Sequence, residues 1–338
     1  MEFNIANRLT DALRSVRFFS FTARGWKVFE RLTSQRAILP CGGKLILPLA
    51  SKLLISAIAT LLLSSPALTQ NTSQKDKTPV LPTAPLLTRT TTRRESQRLG
   101  FGGTVTIVGA PRGSVTIEGW SRNEVELTAD IELKAPTEED LSRLSSINTF
   151  IFDQDLNHVS VLTTGTHDRA YMKQFKNFPK TLLNLPWKID FRIKVPATTD
   201  LEVNAGHGAV KISGVEGAMR VSATESDSSF TLTGGVVSAT IAVGSVTLLI
   251  PTRSWRGGGA DIRVATGALN VEIPPGFSGD IDADVLRVGQ IVNGYDGLEA
   301  REKPGITERT IRARAGAGGP FFKFTVGDGT LTIKKSPS

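Results

Sequence analysis

Apolar and polar residues alternate along much of the chain from residue 101 onward, and glycine interrupts the alternation every few residues. The pattern is most regular between Leu201 and Pro251. Its apolar positions are Leu201, Val203, Ala205, Val210, Ile212, Met219, Val221, Ala223, Phe230, Leu232, Val237, Ala239, Ile241, Val243, Val246, Leu248 and Ile250. Because successive side chains of a strand point to opposite faces, these runs predict short strands with one buried face.

Equivalent positions recur at a nearly constant interval. Val203, Val221 and Ala239 are each 18 residues apart, and Ile212 and Leu232 are 20 residues apart. An interval of this length accommodates two strands and two turns, which is the size of one turn of a stacked β-coil. The pattern therefore predicts an all-β fold, a β-solenoid or β-helix-like stack of short glycine-bounded strands.

The segment that precedes this region adds further strands and one helix. Alternation of β-branched and polar residues begins near Phe101 and ends before Pro136. The following TEEDLSRLSS predicts a short helix near residues 137–146, with Thr137 as N-cap and Asp140 at the capping-box position. Farther along, residues 150–164 predict a β-hairpin whose second strand has Val159 and Val161 on its apolar face.

Residues 1–69 have the character of a leader. Lys52 precedes an apolar core at 53–63, and small residues follow, which is the order of a secretory signal peptide. Cleavage is expected after Ala67 or Thr69. The protein is therefore expected to be exported to the periplasm, the cell surface or the extracellular space.

Two further properties of the leader bear on this interpretation. An uncleaved membrane anchor is the alternative, but Pro48 and Lys52 leave an apolar stretch shorter than the ~20 residues of a spanning helix. The residues before about 45 make the leader unusually long. We interpret this extra length as the result of a start codon assigned too far upstream. The sole cysteine, Cys41, lies in the leader, so disulfide chemistry is not expected after cleavage.

Charge is unevenly distributed along the chain. The formal net charge is +8, but residues 1–69 and 70–99 contain nine and six basic side chains against three and two acidic ones. The remainder, from residue 100 on, has 25 basic and 27 acidic side chains. Because a nucleic-acid-binding protein carries its basic excess on the folded domain, we expect no nucleic-acid partner. Membrane contact is expected only through an uncleaved leader.

The composition of residues 70–99 differs from that of the strands. Proline, threonine, serine and charged residues occur there without a sustained apolar period, which predicts an exposed, disordered linker. Residues 100–335 then form the predicted β-repeat domain. Within it, the insertion at 168–188 is rich in aromatic residues and proline. Such a segment is either a binding surface or a cap over the open end of a stack, and we favour the cap.

Residues with the chemistry of catalysis are sparse. The histidines are His158, His167 and His207, and no Gly-x-Ser-x-Gly or other marked nucleophile accompanies them. His207 lies between two glycines, where a solvated ring in a turn is the simplest interpretation. No cofactor is implied, because the glycine-rich loops lack the Lys-Ser/Thr and following helix of a phosphate-binding loop.

Asp280, Asp282 and Asp284 form the one candidate metal site. Alternation places the three carboxylates on one strand face. Clustered acids of this kind hold Ca²⁺ in β-helix enzymes that cleave acidic polysaccharides, because Ca²⁺ prefers oxygen ligands. The alternative, which we favour, is that the aspartates face water while the apolar residues between them are buried.

Three segments resemble a bacterial family of putative adhesins with β-strand repeats. They are residues 192–221, 265–284 and 327–335, and their marks are Val195-Pro196, the Leu269–Pro274 strand and a closing Gly-Asp-Gly turn at Gly327–Gly329. The resemblance covers about residues 100–335. It implies a β-solenoid-like fold, an envelope or surface location and no shared catalytic residue. The insertion at 168–188 and the glycine loops at 257–259 and 316–319 depart from the family pattern.

These observations predict a non-enzymatic, adhesin-like binding or structural protein. Its partner would be a glycan, an envelope protein or a second copy of the chain. Outward threonines and serines such as Thr224, Thr231 and Thr240 give the strands a wettable surface suited to multivalent contact. The alternative is a carbohydrate-active β-helix enzyme, a polysaccharide lyase or hydrolase that uses the acidic cluster.

Overall fold

The computed structural model of this chain describes residues 85–336. The signal core at 53–63, the expected cleavage near Ala67 and the residues before about 45 lie outside the described residues. Within the described part, the fold is all-β, as predicted, with 18 strands and only short helices. No helix in residues 85–336 combines the length and the apolar character that a membrane span needs.

The elements are numbered in chain order. The strands are β1 Leu87–Arg98, β2 Thr104–Val108, β3 Val115–Trp120, β4 Glu124–Ala135, β5 Thr149–Asp155, β6 His158–Thr164, β7 Trp187–Pro196, β8 Asp200–His207, β9 Val210–Ser213, β10 Ala218–Glu225, β11 Ser228–Thr231, β12 Gly234–Leu249, β13 Arg256–Ile273, β14 Gly279–Val285, β15 Gly289–Gly294, β16 Leu298–Ala300, β17 Thr310–Ala315 and β18 Phe321–Lys335. The helices are α1 Glu138–Ser145 and α2 Arg169–Met172, and a 3₁₀ turn covers Lys180–Leu182.

Two columns of parallel strands organise the hydrogen-bonded sheet. The first column has the order β6, β2, β8, β10, β12, β13, β18, β14. The second has the order β7, β3, β9, β11, β12, β13, β18, β15. Each of the long strands β12, β13 and β18 has its first half in the first column and its second half in the second column. These strands therefore join the two columns.

Antiparallel strands flank both columns. At one end β5 pairs with β6, while β4 pairs with β7 and β1 pairs with β4. At the other end β17 pairs with β14, and β16 pairs with β17. All of the parallel strands except β15 therefore have both edges hydrogen-bonded to other strands, whereas β15 pairs with β18 alone among the described strands.

The register confirms the 18-residue interval in the first column, where Val221 lies between Val203 and Ala239. The predicted equivalence of Ile212 and Leu232 is wrong. Ile212 is opposite Phe230, because the second column keeps the same 18-residue interval. Leu232 follows the end of β11 and is buried there.

The apolar positions of the strands face a common core. Val221 is 2% exposed, whereas Thr224 on the same strand is exposed. Val243 is an exception to the predicted pattern, since it is 49% exposed. The alternation of buried and exposed residues in β12 is interrupted between Ile241 and Val246, where the strand passes from one column to the other.

Glycines stack at this corner between the columns. Gly244, Gly267, Gly329 and Gly289 lie in successive register, each with a positive φ. A Cβ atom on Gly267 would lie 1.8 Å from the carbonyl oxygen of Gly244. Only glycine accommodates both the backbone conformation and this close approach of neighbouring chains.

Helix α1 begins where the sequence predicts. The Thr137 hydroxyl accepts a hydrogen bond from the Asp140 N–H at 3.1 Å, and Leu141 and Leu144 are buried. The predicted hairpin is present as β5 and β6, and both Val159 and Val161 are fully buried.

The prediction of a disordered linker over residues 70–99 is wrong for its last part. Residues 87–98 form β1, which pairs with β4 along its whole length. Its side chains are mainly exposed or half-buried, because the strand lies at an edge of the sheet. An edge strand needs few apolar residues, so its sequence resembles that of a linker. Residues 70–84 lie outside the described part.

Candidate binding groove

The structure places Asp280, Asp282 and Asp284 on the outer face of β14. The apolar residues between them, Ile281, Ala283 and Val285, are buried. Arginines from a neighbouring strand and loop face the carboxylates. The contacts are Arg314 Nε to Asp280 at 2.8 Å, Arg301 Nη2 to Asp282 at 2.8 Å and Arg312 Nη2 to Asp284 at 2.9 Å. We call these six residues the aspartate–arginine ladder.

The ladder has the electrostatics of a structural ion-pair network. The hydrogen bond from Arg314 lowers the pKa of Asp280; burial opposes the shift, and the charges of Arg314 and Arg301 reinforce it. A general acid needs the opposite shift, toward neutral pH. Each of the three carboxylates is already paired with an arginine. No group of three or more His, Cys, Asp or Glu residues in the described structure has metal-binding geometry.

The three histidines contact different partners. His158 Nε2 lies 2.9 Å from the Thr106 hydroxyl, and His207 Nδ1 lies 2.9 Å from a carboxylate oxygen of Glu225. His167 lies instead at the start of the insertion, where its ring is 5.4 Å from the Trp187 ring. Burial lowers the pKa of His167, and the charge of Asp168 opposes this shift. The His207 side chain is 52% exposed, in agreement with the sequence interpretation, but the residue is the last of β8 and does not lie in a turn.

The insertion between β6 and β7 is ordered by local contacts. Asp168 caps α2 by accepting hydrogen bonds from the N–H groups of Ala170 and Tyr171 at 2.8 and 3.1 Å. Leu182 is buried in the core, and Phe178 and Leu185 pack against it. The segment thus covers part of the core beside the last parallel strands, as a cap would, and it also forms one wall of a groove.

The groove has a volume of about 750 Å³ and lies between the insertion and the turn that joins β2 to β3. Its lining combines basic, polar and apolar side chains. They are Pro111, Arg112, Thr166, His167, Arg169, Met172, Lys173, Leu183, Asn184, Leu185, Pro186 and Trp187. A groove of this size is within the range of small-ligand sites.

Positive charge lines the groove without a compensating acid. Arg112, Arg169 and Lys173 are exposed, and no aspartate or glutamate belongs to the lining. Ion pairs between residues 85 and 336 do not include any of these three cations. Their charges therefore remain available to an anionic group.

Trp187 is held in place at the base of the insertion. Its Nε1–H donates a hydrogen bond to the Thr166 hydroxyl at 3.2 Å, and the Thr166 N–H donates to Asn148 Oδ1 at 2.8 Å. Gly165 permits this packing, because a Cβ atom there would lie 2.8 Å from the tryptophan ring. The indole is half-buried and presents a rigid apolar surface to the groove.

These residues can bind a ligand by charge, hydrogen bonds and apolar contact. The sequence marked the insertion through its aromatic residues, and Trp187 and His167 are indeed near each other. It gave no sign that Arg112 belongs to the same site, since 75 residues separate Arg112 from Trp187. Strand β3 pairs with β7, and this pairing brings the two segments together.

Comparisons with known proteins find structural similarities at a low level. No family model and no curated protein matches this chain. One solved structure, a putative cell adhesion protein from Clostridium sporogenes, is 13% identical over 73% of this chain and 100% of its own, with a TM-score of 0.33. A putative adhesin from Bacteroides fragilis is 12% identical over 73% of this chain and 97% of its own, with a TM-score of 0.26. At such low TM-scores neither similarity establishes a shared fold or function.

Proposed function

We propose that this chain is a non-enzymatic, exported, adhesin-like protein of the cell envelope or surface. In this proposal, the two parallel columns are successive turns of a β-solenoid-like coil, and the groove beside the insertion is the binding site. Partners of three kinds fit the role: a glycan, an envelope protein or a second copy of the chain. Among them we propose a glycan for the groove.

The observation that carries the proposal is the lining of the groove. Arg112, Arg169 and Lys173 line the same groove as the hydrogen-bonded indole of Trp187, and the lining contains no carboxylate. The held indole loses little side-chain entropy on contact with a ligand, and the cations supply charge. Hydrolysis of a glycosidic bond usually requires a pair of carboxyl groups at the cleaved bond, so this lining favours binding over hydrolysis.

The other features of the chain are consistent with this role. The motif order that resembles adhesins with β-strand repeats spans the same strands, and the order of residues 52–69 favours export. In the proposed role, the aspartate–arginine ladder stabilises β14 and β17. Exposed Thr224 and Thr240 belong to outward faces that are rich in hydroxyl groups.

A glycan-array experiment with the purified full-length chain tests the binding role. We expect the wild-type protein to retain a subset of glycans and the Arg169→Gln variant to lose them. Lys176→Gln is the matched control, since Lys176 belongs to the same insertion but does not line the groove. Absence of any bound glycan, or unchanged binding by Arg169→Gln, would contradict the proposal.

Export is tested separately by the intact mass of the protein recovered from the native envelope fraction. Cleavage near Ala67–Gln70 is expected to remove the apolar core at 53–63. A mass that retains this core would indicate an uncleaved anchor, and recovery from the cytoplasmic fraction alone would contradict export.

A further inference from the structure

We infer that the groove selects a carboxylated saccharide, meaning an oligosaccharide with at least one uronic or sialic acid residue. This inference rests on the proposed function and narrows its ligand class. Three features of the groove carry it: the arrangement of its cations, the charge of the insertion relative to the rest of the domain, and the mixture of surfaces beside the cations.

The cations converge on the groove from two separate segments. Arg112 comes from the β2–β3 turn, whereas Arg169 and Lys173 come from the insertion. A guanidinium presents donors in a planar fork that matches the two oxygens of a carboxylate, so the arginines suit an anion of this shape. Two arginines on opposite segments can hold one carboxylate between them or two carboxylates of neighbouring sugar units.

The positive charge is local. Residues 165–188 contain five basic side chains and one acidic side chain, although residues 100–338 as a whole carry two more acidic than basic side chains. An acidic ligand is therefore repelled mildly by the domain and attracted by this one region. At physiological ionic strength screening limits such attraction to about 8 Å, so the ligand must enter the groove to benefit.

The remaining lining fits a sugar body. Trp187 and Leu185 offer apolar surface, while the Thr166 hydroxyl and the Asn184 amide offer hydrogen bonds. A pyranose ring with a carboxylate presents these three characters together: an anion, hydroxyl groups and an apolar C–H face. Anionic lipid headgroups are a poorer match, because a bilayer presents a broad surface and the cations here line a concave site.

Isothermal titration calorimetry with two matched probe pairs tests the inference on the full-length chain. The acidic probes are galacturonic acid trisaccharide and sialyllactose, and their neutral counterparts are galactose trisaccharide and lactose. We expect at least one acidic probe to bind about tenfold or more tightly than its counterpart, which corresponds to about 1.4 kcal/mol. Binding is expected to weaken as salt is raised, because the attraction is electrostatic.

Variants show whether the groove is responsible. Arg112→Gln and Arg169→Gln are each expected to weaken the acidic probe about tenfold or more, as the loss of a charge-assisted hydrogen bond does. Lys176→Gln removes the same charge from the insertion outside the groove and is expected to change affinity less than about twofold. Equal losses in all three variants would overturn the inference, because the effect would then come from diffuse charge.

Failure of the ligand class is distinguishable from failure of the proposed function. One outcome is that neutral glycans bind on the array and neither probe pair shows a preference for the acidic member. This result would overturn the inference of a carboxylated ligand but would leave the glycan-binding role intact. Binding to phosphatidylserine vesicles without binding to either acidic probe would overturn both the saccharide and the glycan-binding role. An array without any bound glycan contradicts the proposed function itself.

Discussion

At the scale of single residues, the parity of a position along a strand decides which side chains it accepts. Val221 faces the core between Val203 and Ala239, whereas Thr224 on the same strand faces solvent. Both positions lie on β10, three residues apart. A charged side chain at position 221 therefore differs from one at position 224 mainly in how much of its hydration it loses.

Substitution of these two residues tests the assignment of inner and outer faces. Val221→Asp buries a carboxylate without a partner, and we expect a loss of several kcal/mol, about 3 to 5, in the free energy of unfolding. Thr224→Asp is expected to change it by about 0.5 kcal/mol or less. Thermal melts of the two variants compare them directly. Equal losses, or a larger loss for Thr224→Asp, would show that the inner and outer faces assigned to this strand are wrong.

The corner glycines allow a second comparison. Gly267 in β13 and Gly319 in the loop before β18 have nearly the same φ, 139° and 135°. A Cβ atom on Gly267 would meet the Gly244 carbonyl oxygen, whereas one on Gly319 would meet nothing within 4 Å. Gly319→Ala is therefore expected to cost only the strain of the positive φ, about 1 to 3 kcal/mol. Gly267→Ala adds the clash and is expected to cost at least about 2 kcal/mol more.

Chemical denaturation measures this difference. Equal midpoints for Gly267→Ala and Gly319→Ala would show that the neighbouring strand at the corner moves away without cost. Such a result would contradict the close stacking of chains at the corner.

At the scale of elements, the aspartate–arginine ladder links β14 to β17 across an antiparallel pair. Asp280 lies opposite Arg314, and Asp282 lies opposite Arg312. Opposite charges at directly facing positions stabilise a strand pair, and the ladder fixes the register of β17 at this end of the sheet. The ladder thus contributes to structure where the sequence alone left a metal site possible.

Acid should weaken this pairing. The pKa of Asp280 is lowered below its ordinary value of 3.8 in the folded protein, chiefly by the Arg314 hydrogen bond. The resulting stability is present above pH 3.8 and is lost as the pH falls through the folded pKa. We expect Arg314→Gln to be less stable than wild type at pH 7, and this difference to shrink toward zero as the pH falls below the folded pKa of Asp280.

Denaturant unfolding at several pH values measures the effect. Arg309→Gln is the matched control, because Arg309 lies just before β17 and forms no ion pair with the described residues. A pH-independent difference between wild type and Arg314→Gln would contradict the assigned ion pair.

At the scale of the whole molecule, the two columns share one core. Buried residues from the antiparallel strands, the parallel columns and the insertion belong to a single hydrophobic cluster, which includes Leu133, Leu182, Val221 and Phe322. Shared burial of this kind couples the strands, so damage in one strand spreads to the strands packed against it.

Residues 87–335, which include β1, are therefore expected to unfold as one unit without need of a metal ion. Circular dichroism melts with and without EDTA should give the same single transition. A transition lowered by several degrees in EDTA would identify an ion site among the aspartates and restore the enzyme alternative. Two separate transitions would contradict the shared core.

Much of the strand pattern was determined by the sequence itself. Alternation identified most buried positions of β8 to β12, the 18-residue interval identified Val203, Val221 and Ala239 as neighbours, and Thr137 marked the start of α1. These features are encoded locally, since side-chain parity and helix capping depend on residues only a few positions apart.

Only the tertiary structure decided the features that depend on distant partners. Strand β1 exists because β4 supplies its hydrogen bonds, and its own polar residues resemble a linker. The aspartates of β14 meet arginines that follow them by 19 to 34 residues. The groove joins Arg112 to Trp187 through the pairing of β3 with β7. Non-local strand pairing creates each of these contacts, and its register cannot be deduced from either segment alone.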